Sequence, residues 1–129
     1  MEKKELLELV KETGRVYQAI AAKIEVLIEA LNRMEKQKGT TELAEKIEQF
    51  LAALLQSIKA EKRVAKRLSS SDKKEMALLI RKELGEIKRL KAYVHLASRN
   101  PTPPVISAIH QLYKYVSEDI AGEEAVLSG

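Results

Sequence analysis

The sequence predicts an all-α protein, an up-down-up-down four-helix bundle with a long first helix and a short fourth helix. Three observations carry this. Apolar residues recur in alternating steps of three and four along the chain, which is the spacing of one helix face and not of a strand. The pattern is interrupted in only three places, at Gly39, at Ser69-Ser70-Ser71 and at Asn100-Pro-Thr-Pro-Pro. The interruptions are short, and short connections make consecutive helices antiparallel neighbours.

In the first helix the inward stripe is Leu6, Val10, Thr13, Tyr17, Ile20, Ile24, Leu27, Leu31 and Met34. The positions beside it, such as Leu7, Leu9, Gly14, Ala21, Ile28 and Ala30, are apolar or small, where a two-stranded coiled coil would carry charges. A face this wide needs more than one neighbour, which selects a bundle. Gly39 is expected to stop this helix, and Thr41 to cap the second. The second stripe is Leu43, Ile47, Leu51, Leu54, Ile58, Ala65 and Leu68, with Phe50 beside it. Asp72, with Glu75 three residues later, forms a capping-box-like start for a third helix that carries Met76, Ile80, Leu84, Ile87, Leu90 and Val94 to about Ser98. Pro101 ends it, and Pro103 or Pro104 can occupy the first turn of the fourth, whose stripe is Val105, Ile109, Leu112, Tyr113, Val116 and Ile120. Residues 1–121 thus form a single bundle domain, and 122–129 are expected to be a flexible tail.

With 45% hydrophobic residues in 129, the chain can bury one core without staples. Cysteine is absent, which excludes disulfides, thiolate metal sites and thiol catalysis. No signal peptide and no run of about eighteen apolar residues is present, so the expected protein is cytoplasmic and makes no use of a membrane. Sixteen Lys and seventeen Glu against two Asn and two Asp match the composition favoured at high growth temperature.

A first helix of some 35 residues would be about 50 Å long, at about 1.5 Å per residue, and the fourth roughly half of that. Part of the first helix would then lack cover, so Leu6, Leu7, Val10 and Tyr17 are expected to form an interface in a homo-oligomer. The charge is also uneven. Residues 59 to 100 hold thirteen Lys or Arg against five Asp or Glu, a net of +8 in a chain whose total is +4. Lys59, Lys62, Arg63 and Lys66 make one helical ridge; Lys74, Arg81 and Lys88 repeat every seven residues and make a second, with Arg99 near its end. The expectation is a non-catalytic interaction protein that self-associates and binds another macromolecule. The alternative is a nucleic-acid-binding accessory protein using these eight cations, because clustered Lys and Arg release counterions from a phosphate backbone.

Two carboxylates interrupt the apolar faces. At about 100° per residue, Glu61 falls between Ile47 and Phe50 in angle, and Glu83 between Ile87 and Leu90, so both point inward. Counting heights along antiparallel helices brings Glu61 level with Thr13 and Tyr17, and Glu83 level with Ser57. Such a layer could serve metal or acid/base chemistry. Without Glu-x-x-His pairs, the expected role is structural, either a hydrogen-bonded layer that sets helix register or glutamates at an unclosed end of the bundle where water reaches them, with no metal and no cofactor.

Arg89-Leu-Lys-Ala-Tyr-Val-His95 resembles the Arg-to-His motif of HEPN-type ribonucleases, which are helical bundles that work as dimers. The resemblance covers seven residues, and Leu90 stands where a polar residue commonly follows the arginine. No catalytic residue is assigned on it, and no Ser-His-Asp or nucleotide-binding constellation occurs.

Overall fold

A computed structural model describes residues 2–33 and 38–129. The helices are α1 (Glu2–Asn32), α2 (Lys38–Ala65), α3 (Ser70–Arg99) and α4 (Pro103–Ser128), and no strand occurs among the described residues. α1 packs on α2 and α4, and α3 packs on α2 and α4, so the four helices close a ring around one core.

The stripes become the core. Leu6, Val10, Thr13, Tyr17, Ile20, Ile24, Leu27 and Leu31 of α1 are buried, and Met34 lies outside the described residues. Ile47, Leu51, Leu54 and Ile58 of α2, Met76, Ile80, Ile87, Leu90 and Val94 of α3, and Val105, Ile109 and Val116 of α4 meet them. Phe50 is half in solvent, under Lys23, whose ammonium stands 6.0 Å from the ring centre. Tyr17 ties α1 to α4, its hydroxyl donating to the Tyr113 carbonyl at 2.6 Å.

The ends differ from the sequence reading in three places. The helices have 31, 28, 30 and 26 residues, so the first is not markedly long and the fourth is not short. α4 continues through Gly122 to Ser128 and buries Glu123 and Leu127, so the stretch read as a frayed tail is helical. α2 already runs from Lys38, which puts Gly39 and Thr41 inside it and leaves neither as a stop or a cap. α3 starts at Ser70 with Ser69 in the extended cap position, and Ser69 and Asp72 approach through their side chains at 3.4 Å. Pro103 opens α4 as the spacing suggests, since its missing N–H is not needed in a first turn.

Candidate metal centre

On α3, Glu83 and Glu86 are three residues apart; on α4, Asp119 and Glu123 are four apart. Each spacing sets two side chains on one helix face a turn from each other. Both faces turn into the bundle. Glu83 and Glu123 are fully buried, Glu86 and Asp119 are 2% exposed, and Glu61 of α2 joins them at 1%.

Three of these carboxylates converge. One oxygen each from Glu61, Glu83 and Glu123 lie within 4.8 Å of one another. Thr13 of α1 donates its hydroxyl to Glu61 Oε2 at 2.6 Å. The other Glu61 oxygen and both oxygens of Glu83 and of Glu123 receive no hydrogen bond from an N–H or hydroxyl of the described residues, while Glu83 and Glu123 stand within hydrogen-bonding reach of each other. Beside this trio, Glu86 and Asp119 face each other. The Lys82 ammonium stands 3.2 Å from Asp119 Oδ1 and 3.8 Å from Glu86 Oε1. That side chain is 58% exposed, so the lysine reaches in from solvent to the edge of the layer.

Five carboxylates with one neighbouring ammonium cannot all be ionised in a dry core. Burial is the first cause in each case, followed by hydrogen bonding and charge between the facing acids. Glu83 is raised well above the usual carboxylate range by burial and then by the charge and hydrogen bond of Glu123, whereas Glu123 is raised by burial, with the hydrogen bond to Glu83 acting in the opposite direction and the charges of Glu61 and Asp119 adding to the rise. Glu86 is raised by burial and then by Asp119, against which Lys82 and Arg89 act. Glu61 is pushed up to about 7 by burial, with the Thr13 hydroxyl acting in the opposite direction. Asp119 in turn raises the Lys82 ammonium above its ordinary value by hydrogen bonding and charge. Tyr17 is raised mainly by burial and donates to a carbonyl, so it supplies nothing to the carboxylates.

An all-oxygen, anionic donor set of this kind suits hard divalent cations such as Mg²⁺, Mn²⁺ or Ca²⁺. A cation would replace protons that the layer otherwise has to retain near neutral pH.

Of the residues singled out from sequence, Glu61 does meet Thr13, whereas Glu83 meets Glu123 and leaves Ser57 in solvent. Glu86, Asp119 and Glu123 were missed. Their signal was present: after Val116 the three-four spacing continues as 119, 120, 123 and 127, and it is lost only if acids are denied inward positions. Leu6, Val10 and Tyr17 are buried in the chain's own core and Leu7 is half-buried, so these side chains face intramolecular neighbours. Lys59, Lys62, Arg63, Lys66, Lys74, Arg81, Lys88 and Arg99 are all exposed. Lys62, Lys66 and Arg81, joined by Lys73, line a cleft of about 300 Å³ between the end of α2 and the start of α3. The other five lie outside its lining. Arg89 and His95 sit about 120° apart around α3, at about 100° per residue. His95 Nδ1 is paired with Glu48 at 3.0 Å.

No family model, no curated protein and no solved structure matches the chain.

Proposed function

We propose that this chain is a divalent-cation-binding helical bundle whose centre is formed by Glu61, Glu83 and Glu123, with the helices running up-down-up-down. The observation that carries the reading is the convergence of three buried carboxylates, one oxygen of each within 4.8 Å of the others and five of their six oxygens without an N–H or hydroxyl donor among the described residues. A layer that served register alone would satisfy its oxygens with donors, because an unsatisfied buried acceptor costs about 1–3 kcal/mol and a charged one more. A hard cation satisfies several at once and cross-links α2, α3 and α4. No catalytic role is part of this proposal. The test is calorimetric titration of chelator-treated protein with Mn²⁺, Mg²⁺ and Ca²⁺, with thermal melting in parallel. Binding and a raised melting temperature are expected in the native chain and lost in Glu83→Gln and Glu123→Gln. No heat and no shift with any of the three ions would leave a proton-sharing structural layer.

A second reading keeps macromolecular binding. It is favoured by the cleft of Lys62, Lys66, Lys73 and Arg81, whose four cations make no ion pair among the described residues and surround the apolar Ala77 and the exposed Leu78. The ligand in this reading is nucleic acid, whose phosphates these cations would contact. Reversing Lys66 and Arg81 to Glu should reduce the slope of log affinity against log salt by about two units. An unchanged slope would mean that these cations are only solvated.

A further inference from the structure

We propose that Glu86 and Asp119 form a second position for a hard divalent cation beside the first, and that the Lys82 ammonium occupies this position as a displaceable internal cation. The inference rests on the cation-binding reading of Glu61, Glu83 and Glu123 and extends it from one ion to an adjacent pair.

The second position has its own evidence. Glu86 and Asp119 are each 2% exposed and face each other, yet Glu86 Oε2 and Asp119 Oδ2 receive no hydrogen bond from an N–H or hydroxyl of the described residues. Their other oxygens already hold a positive charge, because Lys82 Nζ sits 3.2 Å from one and 3.8 Å from the other. The cation in that position is held on a flexible stem that is 58% exposed, so it can leave for water without unfolding a helix. The Glu12–Arg15 and Glu29–Arg33 pairs differ in that both partners stand in solvent; Lys82 instead reaches two acids that are almost wholly buried.

The spacing also suits a pair of ions. α3 contributes Glu83 to the first position and Glu86 to the second, and α4 contributes Glu123 to the first and Asp119 to the second. Residues three or four apart differ by about 5 Å in height, which carboxylate side chains can draw in to the ~3.5–4 Å separation of two-ion centres. Charge favours the exchange. Five carboxylates face three positive charges with one divalent ion and Lys82, and four with two divalent ions.

The experiment uses the full chain with Mn²⁺ as the probe, reading stoichiometry by titration and ion adjacency by the spin coupling of neighbouring Mn²⁺ ions. The native protein should bind one ion tightly and a second more weakly. In Lys82→Met, which keeps the apolar stem and removes the charge, the second ion should tighten by about tenfold or more, and the two ions should be spin-coupled. Lys82→Arg should behave as the native chain. Lys82→Met combined with Asp119→Asn should return to one uncoupled ion. If Lys82→Met does not fold in chelator, Asp119→Asn alone decides the matter, because saturating Mn²⁺ should then give one ion where the native chain gives two. One ion in the native chain and in every variant would overturn the second position and leave the first intact. Two ions without spin coupling would place the second on the surface and equally overturn it. No ion in any variant would remove the first reading, and this one with it.

Discussion

The two halves of the core solve the same packing problem differently. Toward the α3–α4 connection, where Leu31 shares a cavity with Pro101 and Pro103, the interior is Ile24, Leu27, Ile47, Leu90, Val94 and Ile109, apolar throughout. Toward the other half, the same spacing delivers Glu61, Glu83, Glu86, Asp119 and Glu123 to equally buried positions. The apolar half is complete as the chain folds, because burial of hydrocarbon needs no further partner. The acidic half is incomplete without protons or cations. Its contribution to stability is therefore conditional on solution chemistry, and that of the apolar half is not.

The largest effect expected separates the halves by mutation in the apolar one. Ile24 is fully buried, and Ile24→Ala should cost about 2–5 kcal/mol through lost transfer energy and a residual cavity. The cost should be the same in chelator and in saturating Mn²⁺, as read by denaturant unfolding. A cost that changed with the ion would mean that the halves are coupled.

The next effect has the opposite sign. Glu83 is fully buried with neither oxygen receiving an N–H or hydroxyl hydrogen bond among the described residues, and removing a buried ionisable group in favour of a well-packed apolar one can stabilise by about 1–4 kcal/mol. Glu83→Leu should raise the melting temperature in chelator and abolish any response to divalent cations. A variant that melted lower in chelator would mean that Glu83 makes a favourable contact in the cation-free protein, most simply a proton shared with Glu123.

Much of this contrast was legible in the sequence, and the part that was not has a physical cause. The apolar stripes of α1, α2 and α3 follow directly from spacing, and so did the inward angles of Glu61 and Glu83, because angle around a helix depends only on residue number. Height across the bundle does not. Counting by backbone level put Glu83 beside Ser57, but side chains lean toward their own N-terminus. On helices that run in opposite directions, as proposed here, Glu61 and Glu83 lean toward each other across several residues of height. α4 was truncated for a different reason. Asp119 and Glu123 give no apolar signal, so by spacing alone the helix ends where the apolar residues thin out after Ile120. Leu127, 4% exposed, is the residue that could have corrected this, since it continues the spacing of Val116, Ile120 and Glu123. The ridges of Lys and Arg were legible as exposed faces, but no count along one helix could bring Lys73 of α3 to the cleft with Lys62 and Lys66 of α2.

Acidity gives the third test. The folded protein holds protons on Glu61, Glu83, Glu86 and Glu123 that the unfolded chain releases near 4.5. More protons on the folded state mean that stability falls as pH rises. The contribution of these groups to the cation-free protein should therefore be fully present at and below about pH 4.5 and weaken from there through about pH 7 and beyond, by up to about 1.4 kcal/mol per pH unit for each proton difference. A divalent cation competes with those protons, so saturating Mn²⁺ should flatten the decline. Denaturant melts at pH 5, 6, 7 and 8, with and without the ion, check both slopes. Stability that rose with pH in the chelated protein would refute the proton-retaining layer.

The smallest effect isolates the hydroxyl hydrogen bond that Thr13 gives the trio. The Thr13 hydroxyl donates to Glu61 Oε2 at 2.6 Å and opposes the rise that burial imposes on Glu61. Thr13→Val keeps the shape and removes the donor. The bond favours the charged carboxylate, so its loss should be felt where Glu61 is ionised in the folded protein, above about pH 7, and little at pH 5, where that carboxyl is protonated. Bonds to charged groups contribute about 1.5–3 kcal/mol, and since Glu61 can answer the loss by keeping its proton, the cost at pH 8 should fall at the lower end of that range. Comparing native and Thr13→Val melts in chelator at the two pH values measures it. An equal cost at both would make Thr13 a packing residue with no part in the charge of the layer, whereas a cost that appears only at the higher pH ties α1 to the carboxylates through this single hydroxyl.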